Sequence, residues 1–311
     1  MNRICIIGGA NIDICGASLK PLRNYDSNPG TIGVSFGGVG RNIAQVCALL
    51  NKNVWFVTCF SDDAYGKMMR EDCEKLGMNT SLSTVTDEYP TSMYMAVLDD
   101  NHDMHIGMSD MRILDTMDEK MLSKVMAELH PDDIIIMDAN LAPHCIDYIL
   151  HHAPCMIAAD PVSTVKAVKL KNSLDHIAIF KPNQFESKEL TGITIKDEES
   201  ARKSLEWFLD HGVKEVLISL ADKGILLGTE TGMSWFTHRT IRLENATGGG
   251  DSLLGAYVSR RVLKENPEEA MRFAISTAVT VIEDNAVKRR SLDSQTILNR
   301  IADMEIKEKK L

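Results

Sequence analysis

Short apolar runs rich in Ile and Val alternate along this chain with longer amphipathic segments, and that alternation limits the possible folds most. Residues 3–7, 54–59, 134–137, 156–159, 177–180 and 216–219 read as buried strands bounded by turn residues. Between them, 41–50, 64–76, 117–129 and 198–211 carry helical periodicity. In 117–129 the residues Met117, Met121, Leu122, Val125, Met126 and Leu129 share one face, as core packing. Strands that are apolar on both faces, each followed by a helix, predict an α/β fold with a mostly parallel central sheet covered by helices on both sides.

Two stretches break this rhythm. Residues 14–36 are polar and turn-rich around Asp26-Ser27-Asn28-Pro29-Gly30, and 89–107 reads as two strands around Asp99-Asp100-Asn101. Together they predict a small β lid, from about 14–36 and 89–108, on a single domain spanning 1–311. Such a lid can exclude water from a reaction. The last third reads as helices over 251–263, 268–283 and 294–303, and 306–311 as a frayed, charged tail.

Net charge is −10 with no basic block, which argues against a nucleic-acid polymer as partner. No apolar stretch approaches the roughly 20 residues that span a bilayer. The run Ile4 to Ile7 is broken at once by Gly8-Gly9, so no signal peptide is expected. Seven cysteines form no C-x-x-C pair and read as reduced residues of a cytoplasmic protein without structural zinc. The nine histidines show no ligand spacing and read as surface residues.

The chemistry concentrates in Asn245-Ala246-Thr247-Gly248-Gly249-Gly250-Asp251-Ser252, ahead of an apolar helical run. Three glycines before a helix allow backbone N–H groups to converge on an anion at the helix N-terminus. Asp251 at the mouth of that cradle can accept a proton from an attacking alcohol, while the amides of Gly248, Gly249 and Gly250 stabilise a transferring phosphoryl group. The plainer alternative is a glycine turn with Asp251 as helix N-cap.

A second glycine run, Phe36-Gly37-Gly38-Val39-Gly40-Arg41-Asn42, also precedes a helix and lacks the Gly-Lys-[Ser/Thr] ending of a Walker A loop. Here Gly38 lets a sugar ring approach the backbone and Asn42 offers donors and acceptors to hydroxyls, or Asn42 merely caps the helix. In Gly8-Gly9-Ala10-Asn11-Ile12-Asp13, Asn11 and Asp13 follow the first strand, where open α/β sheets bind ligands. The alternative there is an Asx turn.

Taken together, these motifs resemble the ribokinase-like (PfkB) family of carbohydrate kinases over nearly the whole chain. Gly37-Gly38…Asn42 with Ser61-Asp62-Asp63-Ala64-Tyr65-Gly66 is similar to that family's N-terminal signature, and 245–251 to its C-terminal one. Lys181-Pro182-Asn183-Gln184-Phe185-Glu186 resembles its Asn-x-x-Glu motif, and Ser219-Leu220-Ala221-Asp222-Lys223-Gly224 its nucleotide-binding turn. The resemblance implies a ribokinase-like fold, ATP and Mg2+, with K+ as a further candidate cofactor. It implies Asp251 as base and Asn11, Asp13, Gly38 and Asn42 as sugar ligands. Asn183 and Glu186 would organise the magnesium-water network, Glu186 through water. Ser219, Ala221 and Gly224 would line the nucleotide site, with Thr247 nearby and Asn285 and Ala286 beside the adenine. Asn245 stands where the family commonly has Asp, in the region that helps to bind the monovalent cation; Ala221 and Ser61 replace glycines.

Asp26-Ser27-Asn28-Pro29-Gly30, the Gly37–Asn42 stretch and Ser109-Asp110-Met111 resemble the branch of the family that acts on pseudouridine. The implied reaction is phosphorylation of the nucleoside 5′-hydroxyl by ATP. Asn28, Asp110 and Asn140 are candidate substrate contacts; a lid turn for Asn28 and a loop cap for Asn140 are the alternatives. Thr91 and Ser92 either bond substrate or pair across strands. A ribose, fructose or other nucleoside kinase, and a non-catalytic sugar- or nucleoside-binding regulator, are the competing functions. An exposed lid sheet would be covered in a homodimer.

Overall fold

Strand β1 (Ile4–Ile7) shows why helices cover the sheet on both faces. Ile4 and Ile6 enter one core with residues of α1 (Val39–Leu50), α8 (Gly249–Arg261) and α9 (Pro267–Glu283). Cys5 and Ile7 enter a second core with α3 (Glu119–Glu128), α4 (Pro143–His152) and α7 (Glu198–Asp210). A strand buried on both faces has no polar side to show, hence its unbroken apolar run.

The computed structural model describes residues 2–240, 248–283 and 292–311. Among these, ten strands form the main sheet. In spatial order they are β16 (Lys307–Lys310), β15 (Gly232–Thr237), β14 (Ile225–Thr229), β13 (Glu215–Ser219), β12 (Ile179–Phe180), β11 (Met156–Asp160), β10 (Ile134–Asp138), β1, β4 (Val54–Val57) and β6 (Met78–Asn79). From β13 to β6 all neighbours are parallel; β14, β15 and β16 add an antiparallel edge. The chain leaves β1 toward β4 on one side and later returns to β10 on the other. The crevice at the carboxyl ends of β1 and β10 is therefore the topological switch point, where such sheets bind ligands.

Four further strands make the lid, in the order β3 (Gly30–Gly37), β2 (Asn11–Ser18), β8 (Met93–Leu98) and β9 (Met104–Asp110). The lid starts earlier than the sequence reading has it, because β2 begins at Asn11 directly after the β1 turn. Its register sorts the two faces. Ile14, Val34, Met95 and Met108 lie in one row, Asp13, Ser35, Tyr94 and Ser109 in the next. One face is thus apolar and the other polar.

Other expectations need correction. Residues 54–59 are two strands, since β5 (Cys59–Ser61) leaves the main sheet to pair with β7 (Thr84–Thr86). Met117 precedes its helix, because Asp118 caps α3 by accepting from the Met121 N–H. The C-terminal tail is not frayed: β16 pairs with β15, and Glu308 meets Arg272 at 2.7 Å. Alternating charge misled the reading, because an edge strand needs only one covered face. The remaining helices are α2 (Ala64–Lys75), α5 (Thr164–Ala167), α6 (Gln184–Thr191) and α10 (Ser294–Arg300).

Candidate active site

Asp138, the last residue of β10, ties the switch point together. Its Oδ2 accepts from the N–H of Gly9 at 2.9 Å and of Gly40 at 2.8 Å, and its Oδ1 from the N–H of Asn140 at 2.9 Å. One buried carboxylate thereby joins the turn after β1, the first turn of α1 and the loop after β10. A Cβ on Gly8 would fall 2.5 Å from Asp138 Oδ2, so the close approach requires glycine there. Burial raises the Asp138 carboxyl above its ordinary value, against the hydrogen bonds it accepts.

Asp251 lies in the first turn of α8, the helix that Gly248 opens in the left-handed conformation (φ 80°). It is not the N-cap. Its Oδ2 accepts from Asn42 Nδ2 at 2.8 Å, which joins α8 to α1. Burial, reinforced by Asp160, lifts its carboxyl from 3.8 to about 7, against the Asn42 hydrogen bond and the Lys181 charge. A carboxylate poised near neutrality is suited to take and release a proton. Lys181 is buried, 3.1 Å from Asp160 Oδ2, and its Nζ lies 3.0 Å from where a Cβ on Gly250 would stand. Burial pulls the Lys181 amine down, but Asp160, Glu186 and Asp251 more than restore it, so a cation sits beneath the glycine cradle.

Next to the β1 turn, Asn11 Nδ2 donates to Asp13 Oδ1, and burial raises the Asp13 carboxyl. Gly38 turns the chain at φ 97°, and a Cβ there would meet the Gly9 carbonyl oxygen at 2.6 Å and Asn11 Oδ1 at 2.9 Å. Arg41, buried, donates to the Phe36 carbonyl at 3.3 Å and pairs with Asp72 at 2.5 Å, which anchors the root of β3. Asp63 caps α2 through Gly66 N–H and also holds Thr91 Oγ1 at 2.6 Å, which anchors the start of β8.

Beside the cradle opens a cavity of about 470 Å³, lined by Asn183, Ser219, Ala221, Gly224, Gly249 and Gly250 among others. Asn183 caps α6 by accepting from the Phe185 and Glu186 N–H groups, and Glu186 Oε2 accepts back from the Asn183 N–H at 2.7 Å. This capping box leaves Glu186 Oε1 available. Gly224 turns at φ 99°, and a Cβ there would meet the Phe236 carbonyl oxygen at 2.0 Å. Ala221 holds a left-handed φ of 54°, the conformation a glycine would take without strain.

The structure therefore gathers Asn11, Asp13, Gly38, Asn42, Asn140 and the cradle around one crevice, and the nucleotide-motif residues around the adjoining cavity. Asn28 and Asp110 make local contacts. Asn28 folds its own loop, accepting from Arg23 N–H at 2.8 Å and donating to the Arg23 carbonyl at 3.0 Å. Asp110 is paired at 2.7 Å with exposed Arg112. Thr247, Asn285, Ala286 and Asn245, with the potassium region, lie outside the described residues. Sequence reasoning gave no role to Asp138, Asp160 or Lys181. Their signal was positional: each ends or directly follows a buried strand, where a charge needs a reason.

The chain matches the pfkB family carbohydrate kinases over residues 1–293. It is 29% identical to the pseudouridine kinase of Escherichia coli over 97% of each chain. It is 25% identical to the guanosine-inosine kinase of Exiguobacterium acetylicum, over 94% of this chain and 99% of that one. The structure of Arabidopsis thaliana ribokinase complexed with ribose and ATP superposes with a TM-score of 0.81 at 20% identity, covering 97% of this chain and 99% of that one. With that match over nearly its whole length, the chain belongs to the PfkB family of carbohydrate kinases.

Proposed function

We propose that the chain, acting as one kinase domain over 1–311, transfers the γ-phosphoryl group of ATP to the 5′-hydroxymethyl of pseudouridine. The observation that carries the reaction is Asp251: half-buried, raised to about 7, and in the first turn of the helix led by Gly248, Gly249 and Gly250. The choice of nucleoside rests on the similarity to the Escherichia coli pseudouridine kinase.

In this reading Asn11 and Asp13 hold ribose hydroxyls and the lid's polar face closes over them. Asp251 accepts the proton as the 5′-oxygen attacks phosphorus. The amides of Gly248 to Gly250 and the Lys181 ammonium face the charge of the transferring group. ATP occupies the cavity of about 470 Å³ along Ser219, Ala221 and Gly224. Magnesium arriving with ATP neutralises phosphate charge. Its water shell suits the carboxylates of Glu186 and Asp160, the latter already beside Lys181 at 3.1 Å. ATP as co-substrate and seven unpaired cysteines suit a cytoplasmic setting. The exposed apolar row of the lid suits a homodimer.

The test is ATP consumption with magnesium on pseudouridine, uridine, guanosine, adenosine, ribose and fructose. Preference for pseudouridine is expected. Preference for ribose or another nucleoside would keep the chemistry and overturn the substrate. Binding without turnover of any of them would leave a non-catalytic regulator.

A further inference from the structure

Asn140 is held through its backbone N–H and its side-chain oxygen, and its loop through the neighbouring carbonyls. Asp138 accepts its backbone N–H at 2.9 Å. Lys169 Nζ donates to the carbonyls on either side, Ala139 at 3.0 Å and Leu141 at 2.9 Å. Lys166 Nζ, on α5, donates to the Asn140 side-chain oxygen at 2.5 Å. An ammonium has no acceptor, so only the amide oxygen can face it, and the orientation of this side chain follows from chemistry. The amide nitrogen is turned the opposite way. It is on the Asp138 side, where the Asn140 amide helps to lower that carboxyl against burial. The nitrogen also lies 3.2 Å from where a Cβ on Gly9 would stand, with Met111 Cε at 2.8 Å from the same point. Gly9 leads through Ala10 to Asn11 and Asp13, so that nitrogen stands beside the turn that carries them.

We propose that Lys166 sets substrate specificity by locking Asn140 as a hydrogen-bond donor, so that the site takes a base presenting a carbonyl oxygen at this corner and rejects one presenting an amino group. The proposal rests on the nucleoside-kinase reading and adds to it which face of the base is read. A free amide can rotate and serve either group; one pinned through its oxygen cannot. A base with an N–H there would bring donor against donor, and the unpaired groups would be left desolvated. Lys166 is a positioning residue, and Asn140 is the contact.

The experiment measures kcat and KM for pseudouridine, cytidine and ATP in the wild type and in Asn140→Leu, Lys166→Met and Lys166→Arg. Asn140→Leu is expected to raise the pseudouridine KM about tenfold, the equivalent of one hydrogen bond. Lys166→Met is expected to raise the same KM severalfold, to narrow the preference over cytidine, and to leave kcat and the ATP KM in place. Lys166→Arg retains the donor and restores the wild-type KM. Wild-type values in Lys166→Met overturn the proposal while the kinase reading stands. A loss confined to kcat, or shared equally by the ATP KM, overturns it in favour of a loop-stabilising role. A wild-type enzyme that phosphorylates ribose and no nucleoside fails the substrate reading in its own assay, and the base-reading role with it.

Discussion

Asn42 Nδ2 stands 2.8 Å from Asp251 Oδ2, so a side chain expected to hold sugar donates to the expected base. The contact links the two glycine-led helices, α1 and α8, at their first turns. It also opposes the burial that raises Asp251, keeping the carboxyl near 7 rather than higher.

Turnover should therefore rise with pH through about 7, as Asp251 ionises. Asp251→Asn should cut kcat by about a thousandfold with ATP binding retained. Near-normal turnover in that variant would remove Asp251 as base.

The same raised carboxyl acts on stability. Asp251 binds its proton more tightly folded than unfolded, so stability present at acid pH is lost as pH rises from 3.8 to about 7. Asp251→Asn cannot ionise and escapes that loss. Thermal unfolding should show the variant above the wild type at pH 8, with the gap closing near pH 4. A gap independent of pH would contradict the burial argument.

Asp13→Ala should raise the nucleoside KM about tenfold while the ATP KM changes less than about twofold. Asp13 shares the polar lid row with Ser35, Tyr94 and Ser109, away from the nucleotide cavity. The reverse pattern would take Asp13 out of the sugar site.

In the nucleotide turn two substitutions should act in opposite senses. Ala221→Gly relieves a left-handed alanine and should stabilise the protein by about 1 kcal/mol, read as a raised Tm. Gly224→Ala places a methyl 2.0 Å from the Phe236 carbonyl oxygen and should weaken ATP binding and lower Tm. Equal Tm values for both would show that the turn is slack.

Ile32, Val34, Met95, Ile106 and Met108 are exposed on one lid face. Val34→Glu with Met108→Glu should convert a dimer to monomers in sedimentation velocity. A monomeric wild type would refute this use of the lid.

Much of this was legible in the chain. Alternating apolar runs and amphipathic segments determined a parallel sheet covered on both faces, since a strand such as Ile4–Ile7 is stable only with helices above and below it. Glycines 248–250 ahead of an apolar helix, and Asp251 after them, marked the candidate cradle and base, because backbone freedom and a carboxylate are local properties. Tertiary structure alone decided which residues meet. Asp138 lies 129 positions from Gly9 and Asn42 lies 209 from Asp251, so no window of sequence contains either pair. It also decided that Asn28 serves its own loop, that Lys166 orients Asn140, and that the charged tail is an edge strand. Hydrogen bonds are directional and short, and the partner of a polar side chain depends on where the packed sheet brings distant turns together.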